Sequence, residues 1–549
     1  MTRTVTPRGT FAETYAAFEW RLPERYNLAW DVCDRHAGDP GKVALIHQDG
    51  ADVVTYTFQQ IQRRANQFAN TMQALGLAQG DRVMVYLAQN PAAGIAHVGA
   101  WKAGMITLPT SVLFGVDGLE YRLNHSGAKV VITDSANLPK VIEARATAPG
   151  VQHVMVIDGP GGEGGALPFY ATLAKASDQF ETLALTPDAP AMINYTSGTT
   201  GWPKGALQGH RTMIGHMAGL ETLNDFLPQE GDRIWSPADW AWLAGVANIL
   251  MGGWFHGLPV LTFPMIGFDP ELAIKMMGQH KVRNAFLTPT MLKLLRPHRA
   301  LAPQYGVRLR SIISGSEAVG RDLLEEMNAM FGLSINEGFG QTEMNATLGN
   351  CASLGHYRVG SLGTPLPGHV AGIMDDAGNM LPDGQVGNLV FQAPDPVMLL
   401  EYWRDPEATA RKFVNGWLVT GDLAERDEDG FYWFRGRADD VITSAGYRIG
   451  PTEIEDAIRR HPAVSMAAAI GVPDETRTEI IRAYVMLLPG HAPSDALAEE
   501  IRLSVRDRLA RHEYPREIRF VQALPMTTTG KILRRSLRDE ARAEREAKN

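Results

Sequence analysis

The sequence predicts an α/β protein: a large N-terminal domain of βα-built sheets plus a β-rich subdomain, followed by a small α+β domain at the C-terminus. Three observations predict it. Between Val43 and Ile157 short apolar runs alternate with stretches of helical period, as in a largely parallel sheet covered on both faces. From about Gly360 the texture turns to alternating runs separated by Asp/Gly turns. Beyond the charged bridge Arg435-Gly-Arg437-Ala-Asp-Asp440 a separate series of helix, two strands and helix begins. The expected domains are therefore 1–436 and 441–549, joined by a hinge at 437–440.

In order, Val43–Ile46 reads as one apolar run. Phe58, Ile61, Ala65, Phe68, Ala69, Met72 and Leu75 share one helical face. Arg82–Leu87 reads as a buried strand and Pro91–Ala103 as a helix with proline in its first turn. Val130–Thr133 and His153–Ile157 continue the strands. The segment Gly159–Gly164 matches G-x-G-x-x-G, but Pro160 interrupts it and Gly165-Ala-Leu-Pro168 opens no helix. A surface loop is the better reading.

The organising stretch is Tyr195-Thr-Ser-Gly-Thr-Thr-Gly-Trp-Pro-Lys204-Gly205. Its glycines allow tight turns and close backbone approach. Consecutive amides and hydroxyls can wrap an anion, and Lys204 adds a compact positive charge. This is the chemistry of a polyphosphate clamp, although Gly/Ser/Thr-rich segments are commonly plain surface loops. It lacks the spacing of a Walker loop, and Ala206-Leu207-Gln208 reads as extended chain.

After the clamp, Arg233–Trp254 carries Trp235, Trp240, Trp242 and Trp254. Such density ordinarily fills core; the wall of an apolar substrate pocket is the competing reading. Ser311–Ser314 reads as a strand ending in Gly315-Ser316-Glu317-Ala318, and Arg321–Met330 as a helix. Leu333–Asn336 leads to a polar strand end, Glu337-Gly338-Phe339-Gly340-Gln341-Thr342-Glu343. Ligands gather at strand C-terminal ends in open α/β sheets, so these two polar tips suit one site.

In the β-rich part, Asp375–Gly378 and Asp427–Gly430 look like hairpin turns. The second lacks the glutamate that a calcium loop needs at its twelfth position. Thr420-Gly-Asp422 is a compact polar element after a strand. Thr443–Arg448 reads as a loop, Pro451–Arg460 and Ala496–Arg511 as helices, and Ala463–Val472 and Ile480–Leu488 as strands. The charged tail after Arg534 reads as helical or frayed solvent-facing chain.

Composition sets the outer bounds. With 549 residues, 45% apolar and 21% charged, the chain supports a large domain and a smaller one. A net charge of −9 argues against nucleic acid as a partner. Cys33 and Cys351 make neither a disulfide framework nor a metal cluster, which suits a reducing compartment. No apolar signal core opens the chain and no run approaches the ~18 residues of a membrane span. A cytoplasmic protein without a membrane span is expected; a homo-oligomer is left open.

Tyr195–Gly205, Phe339-Gly-Gln-Thr-Glu343, Thr420-Gly-Asp422, Arg435-Gly-Arg437 and Gly530-Lys531 follow the order and spacing of the adenylate-forming superfamily, which the chain resembles along nearly its whole length. Ser444-Ala-Gly-Tyr-Arg-Ile-Gly-Pro451 is most similar to AMP-forming acetyl-CoA and medium-chain acyl-CoA synthetases. The resemblance implies a small-molecule carboxylic acid substrate, with ATP, Mg²⁺ and coenzyme A. The acid attacks the α-phosphate of ATP, pyrophosphate leaves, and the thiol of coenzyme A then displaces AMP.

The resemblance also implies roles. Thr196, Ser197, Gly198, Thr199, Thr200, Gly201 and Lys204 would hold the β- and γ-phosphates. Gly315, Ser316 and Glu317, with Glu337 to Thr342, would flank the adenine and α-phosphate. Thr342 would donate to the phosphate or the acyl carboxylate, and Glu343 would place Mg²⁺. Asp422 would anchor the ribose and Arg437 would make a second nucleotide contact beside a hinge at Asp439. Lys531 would be the adenylation lysine. The C-terminal domain would be mobile, rotating to present Ser444, Ala445, Gly446, Tyr447 and Arg448 to coenzyme A.

Trp235, Trp240, Gly315 and Gly340 are the expected acyl pocket. Acetate-specific members carry tryptophan where this chain has Gly340, so a deeper pocket is expected here. Phe339 replaces the usual tyrosine, and Met526 stands where many members have a basic residue. The reading is an AMP-forming acyl-CoA synthetase for a short- to medium-chain acid. An aryl-acid:CoA ligase and an adenylation enzyme feeding a carrier protein are the alternatives, and a non-catalytic nucleotide-binding regulator is the rival from another class.

Overall fold

Burial is nearly complete along two helices, Pro91–Lys102 and Thr212–Leu223. A helix that is apolar all round has no face to give to water and must lie inside. Both contribute to one core that also takes Val83, Val85 and Met192 from one sheet and Ile234, Val260, Phe286 and Ile313 from another. These helices are thus the filling between two sheets. A computed structural model describes residues 3–196, 203–265, 267–316, 319–440, 442–444, 447–474, 478–506, 514–527 and 531–546. The chain divides into two compact units, one formed by residues up to 196, 203–370 and 392–416, the other by 371–391 and 417 onward.

In the first unit, the eight-stranded sheet runs Glu401–Tyr402, Gly205–Gly209, Pro190–Tyr195, Ile106–Thr110, Arg82–Tyr86, Val130–Thr133, His153–Val156, Leu167–Pro168. Its strands are parallel from Pro190–Tyr195 onward, and the first two pair antiparallel at one edge. The helix Phe58–Ala74 forms as its periodicity predicts, with Thr57 and Gln60 making a reciprocal capping box and Phe58, Ile61, Ala65, Phe68, Ala69 and Met72 buried. Asn90 caps the helix whose first residue is Pro91. The glycine-rich stretch after Val156 holds a single turn, Glu163–Gly165, and no long helix follows it.

The nine-stranded sheet of this unit is parallel at its centre, through Val43–Asp49, Val260–Thr262, Ile234–Trp235, Asn284–Phe286, Ser311–Gly315 and Asn336–Gln341. Antiparallel hairpins close both edges. The tryptophan-rich stretch is a short strand, a loop, and a π-helix Ala244–Met251 running into Gly252–Phe255.

The second unit opens with strands Ala371–Met374, Val386–Gln392, Trp417–Arg426 and Tyr432–Arg437, the first two and the last two pairing antiparallel. The Asp427–Gly430 turn joins the last two, as expected. Beyond them, Ile442–Ser444, Tyr447–Ile449, Val464–Asp474, Thr478–Leu487 and Glu517–Phe520 form a mixed sheet. Helices Pro451–Arg459 and Asp495–Arg506 cover one face through Ile454, Ile458, Ile501 and Val505. The charged tail is the helix Arg534–Glu546, and it is not wholly in solvent: Leu537 and Ala541, four apart, bury against Ile470 and Tyr484 on the other face.

Three local readings are corrected. The Glu337–Gln341 segment is itself strand, not the tip after one, and Thr420–Asp422 lies inside Trp417–Arg426. Thr443–Arg448 belongs to a β-hairpin in which Ile442–Ser444 pairs with Tyr447–Ile449. By contacts, the β-rich stretch groups with the C-terminal module, so the compact division precedes residue 436.

Candidate active site

The clamp is the tip of an antiparallel hairpin. Tyr195 lies opposite Gly205, and just beyond them the Thr196 amide and hydroxyl both donate to the Lys204 carbonyl, at 2.9 and 3.4 Å. The neck is thereby closed while Thr196 and Lys204 stay half-exposed at its mouth. Ser197, Gly198, Thr199, Thr200 and Gly201 lie outside the described residues. Aromatic groups buttress the neck: the Tyr121 hydroxyl donates to the Pro203 carbonyl at 2.7 Å, and the Tyr195 hydroxyl lies 2.9 Å from His125 Nδ1. Burial pushes the Tyr195 phenol up and the His125 imidazole down, so both are neutral partners near pH 7. The Arg122 guanidinium stacks over Phe114 at 3.7 Å and faces Tyr195 at 5.4 Å. Burial lowers its pKa to about 10, so it stays charged.

The second strand end carries Ser316, exposed and held at φ +76°, outside the region that a serine ordinarily adopts. Glu317 lies outside the described residues. Gly315 pairs in register with Gly338, and a Cβ on Gly315 would come within 2.4 Å of the Gly338 carbonyl. Asn336–Gln341 turns back onto Asn345–Gly349, with a register shift between Phe339 and Gly340. Thr342 and Glu343 occupy the turn.

That turn is held from three sides. Gln208 Nε2 donates to the Thr342 carbonyl at 2.6 Å, the Leu399 amide to the Glu343 carbonyl at 2.7 Å, and the Tyr402 hydroxyl to Glu343 Oε1 at 2.5 Å. Lys412 Nζ reaches Gln341 Oε1 at 3.4 Å. Tyr402 also lies beneath Lys204, whose Nζ is 5.2 Å from the ring centroid. The clamp and the Gln-Thr-Glu turn thus meet through one tyrosine, which sequence reasoning missed together with Gln208. The signal was the Leu400-Glu-Tyr-Trp run before Asp405-Pro406, a strand followed by a capped helix start.

Glu337 sits inside its strand rather than at a strand tip. It is buried, its Oε2 accepts from the Gly360 amide at 3.0 Å, and burial pushes its pKa up to about 7. Its carboxyl braces the strand from within.

Of the expected acyl-pocket residues, both tryptophans lie in hydrophobic core. Trp235 is fully buried in a core cluster with Ile274, Met277 and Leu292, and Trp240 in the central core. A small cavity instead opens between Gln208 and Asn345, lined further by Met192, Met213, His216 and Ala247, with room for about one water. A Cβ on Gly340 would lie 1.9 Å from the Asn345 carbonyl oxygen, so this glycine answers to its own hairpin.

The second unit holds the remaining residues. Asp422 is buried opposite Arg437 on the neighbouring strand, with 3.4 Å between Oδ1 and NH1. Ala438–Asp440 is a 3₁₀ turn; the side chain of Asp439 is outside the described residues. Asp440 accepts from Arg534 at 3.2 Å and Arg538 at 2.8 Å, and Arg534 grips Glu455 with two bonds of 2.9 and 2.7 Å. Ser444 is buried, while Ala445, Gly446 and the side chains of Tyr447 and Arg448 lie outside the described residues. Lys531 is exposed. The Thr527 amide donates to its carbonyl at 2.7 Å, its own amide donates to Thr527 Oγ1 at 3.0 Å, and Met526 bridges Ile532 just behind.

For a divalent cation the donor set is sparse. Among the described residues no three His, Cys, Asp or Glu side chains converge. Glu343, with Oε1 taken by Tyr402, leaves one carboxylate oxygen at the half-exposed turn. That fits Mg²⁺, which is ordinarily held by one or two carboxylates together with substrate phosphates and water. It does not fit an all-protein metal cage.

Comparisons with known proteins bear on the same residues. The family model for AMP-binding enzyme matches residues 33–403, and that for the AMP-binding enzyme C-terminal domain matches 453–531. An acetyl-coenzyme A synthetase of Bacillus subtilis (strain 168) is 34% identical over 546 residues, covering 96% of this chain and 94% of its own. A mitochondrial acyl-coenzyme A synthetase of Mus musculus is 31% identical, covering 94% and 91%. Among solved structures, an anthranilate CoA ligase in complex with anthranoyl-AMP superposes with a TM-score of 0.84 at 30% identity, over 95% of this chain and 98% of that one.

Proposed function

We propose, from the premise that this chain belongs to the AMP-binding enzyme family and is an AMP-forming acid–CoA ligase, that it activates a short- to medium-chain carboxylic acid. The observation that carries the site assignment is the junction at Tyr402, which joins the lysine of the phosphate clamp to the carboxylate of the Gln-Thr-Glu turn. A cation for a polyphosphate beside a carboxylate for its counter-ion is what in-line attack on an α-phosphate requires.

In the first step a carboxylate oxygen of the acid bonds to the α-phosphorus and the bond to the β-phosphate oxygen breaks, releasing pyrophosphate. In the second, the sulfur of coenzyme A bonds to the acyl carbon and AMP leaves. Thr196, Lys204 and the loop between them grip the departing pyrophosphate. Thr342 donates to the α-phosphate or the acid. Glu343 would hold Mg²⁺, which when bound offsets charge on the phosphate oxygens. Asp422 engages the ribose, with Arg437 beside it at the 437–440 hinge between functional domains 1–436 and 441–549. Lys531 supplies the cation to the first step, and the Ser444–Arg448 hairpin serves coenzyme A in the second.

The two cysteines are buried and unpaired, which supports a reducing, cytoplasmic setting. No helix among the described residues is long and apolar enough to cross a membrane. The likeness to an anthranilate CoA ligase favours an aryl acid as a second reading.

The test is a screen of AMP release over straight C2–C10, branched, thioether and aryl acids, with and without coenzyme A. Coenzyme A-dependent release with a short or medium aliphatic acid is expected. Release with aryl acids alone would transfer the assignment to the second reading, and acid-dependent release indifferent to coenzyme A would overturn it.

A further inference from the structure

Tyr402 belongs to none of the motifs that marked the site, yet it is the residue through which they touch. It is buried at 5% exposure on the short edge strand Glu401–Tyr402, which pairs antiparallel with Ala206–Leu207 just past the clamp lysine. Its backbone is fixed at both ends: its amide donates to Thr409 Oγ1 at 2.9 Å, and its carbonyl accepts from the Asp405 amide at 3.0 Å. A side chain so anchored does not wander.

Its two chemically distinct surfaces are both engaged. The hydroxyl donates to Glu343 Oε1 and the ring face lies under the Lys204 ammonium. Lys204 and Glu343 are opposite charges on adjoining turns, and left alone they would neutralise each other. Among the described residues they form no ion pair; Tyr402 stands between them and binds each. An ammonium and a carboxylate kept apart remain available for phosphate oxygens and for a counter-ion.

We propose that Tyr402 is a positioning residue for adenylate formation: it presents Lys204 and the outer oxygen of Glu343 as a preset, separated pair to the polyphosphate of ATP and its divalent cation. The inference rests on the proposed function of the site, since it assumes that Glu343 meets the cation.

Tyr402→Phe keeps the ring under Lys204 and deletes only the hydroxyl. ATP binding is measured by titration calorimetry across a Mg²⁺ series, and thermal unfolding is followed alongside. The Mg²⁺ concentration for half-maximal ATP binding should rise about tenfold, as loss of a hydrogen bond to a ligating carboxylate ordinarily does. ATP affinity without Mg²⁺ should stay put. Tyr402→Leu, which removes the ring as well, should also weaken ATP binding in the absence of Mg²⁺. A purely structural role would lower the unfolding midpoint and leave the Mg²⁺ midpoint where it was.

The second arm is a cycle with Glu343→Gln. In that background Tyr402→Phe should add no further Mg²⁺ effect. An unshifted Mg²⁺ midpoint in Tyr402→Phe, or full additivity in the cycle, overturns the proposal even if the wild-type enzyme releases AMP as expected. Absence of acid-dependent AMP release from the wild type would instead overturn the functional reading beneath it.

Discussion

Glu221 sets burial against charge. It is fully buried, accepts the Thr4 amide at 2.8 and 2.9 Å and the Val5 amide at 2.7 Å, and lies 3.4 Å from His256 Nε2. Burial pushes its pKa up to about 8, against the lowering effect of those amides and Arg3. A carboxyl raised in this way keeps its proton in the folded state where the unfolded chain, near 4.5, has lost it. Stability therefore falls as pH climbs through that window. At ~1.4 kcal/mol per pH unit, the loss by pH 8 is on the order of 3–5 kcal/mol. Glu337 adds the same sign of slope over a shorter span, ending near pH 7. Calorimetric melting from pH 5 to 8 should show the wild-type midpoint falling relative to that of Glu221→Gln, while the buried histidines, whose pKa is lowered, act on both alike. An unchanged slope in that variant would show that the carboxyl ionises freely in place.

At the level of elements, the Asn336–Gln341 and Asn345–Gly349 hairpin governs the site more than its motif letters suggest. The deeper-pocket argument treats Gly340 as a floor that tryptophan could raise, but the Asn345 carbonyl blocks even a methyl there. Gly340→Ala should therefore cost roughly 1–3 kcal/mol of stability and slow adenylation of every acid alike, leaving the ratio of kcat/KM between acetate and hexanoate unchanged. If the small cavity beside Gln208 and Asn345 widens to take the acyl chain, Ala247→Leu should instead lower kcat/KM for hexanoate by about 10- to 200-fold relative to acetate. A change in preference from Gly340→Ala would restore the floor. The contrast marks what the sequence could say. Helix Phe58–Ala74 and the buried strands were legible because their partners lie along one period of their own chain. Glu337–Gln341 was not read as strand because two glycines and no β-branched residue stand in it, and cross-strand neighbours decide such cases. Tyr402 was invisible for a related reason: its significance rests on Lys204 and Glu343, far away in the chain.

For the molecule as a whole, the proposed function gives its two chemical steps different residues, with Lys531 serving only the first. The lysine stands on a loop whose base is tied by Thr527 and by the Met526–Ile532 bridge, and three residues later Arg534 is locked to Asp440 and Glu455. Asp440 ends the turn that contains the expected hinge. Hinge end and lysine loop are thus riveted to one body by a half-buried guanidinium. Lys531→Ala should lower acid-dependent ATP–pyrophosphate exchange by at least 10²–10³-fold, the usual cost of one preorganised donor. Thioester formation from supplied acyl-adenylate and coenzyme A should continue. Arg534→Met should fall between these limits, but it leaves the Glu455 carboxylate buried and unpaired, which by itself costs about 3–5 kcal/mol. The double variant Arg534→Met/Glu455→Gln separates the effects, since it removes the stranded charge without restoring the rivet. If the rivet sets the lysine, thermal stability should recover in the double variant while pyrophosphate exchange stays depressed and thioester formation stays intact. Recovery of exchange together with stability would mean that Arg534 serves only to neutralise Glu455, and that the lysine loop needs no tie to the hinge.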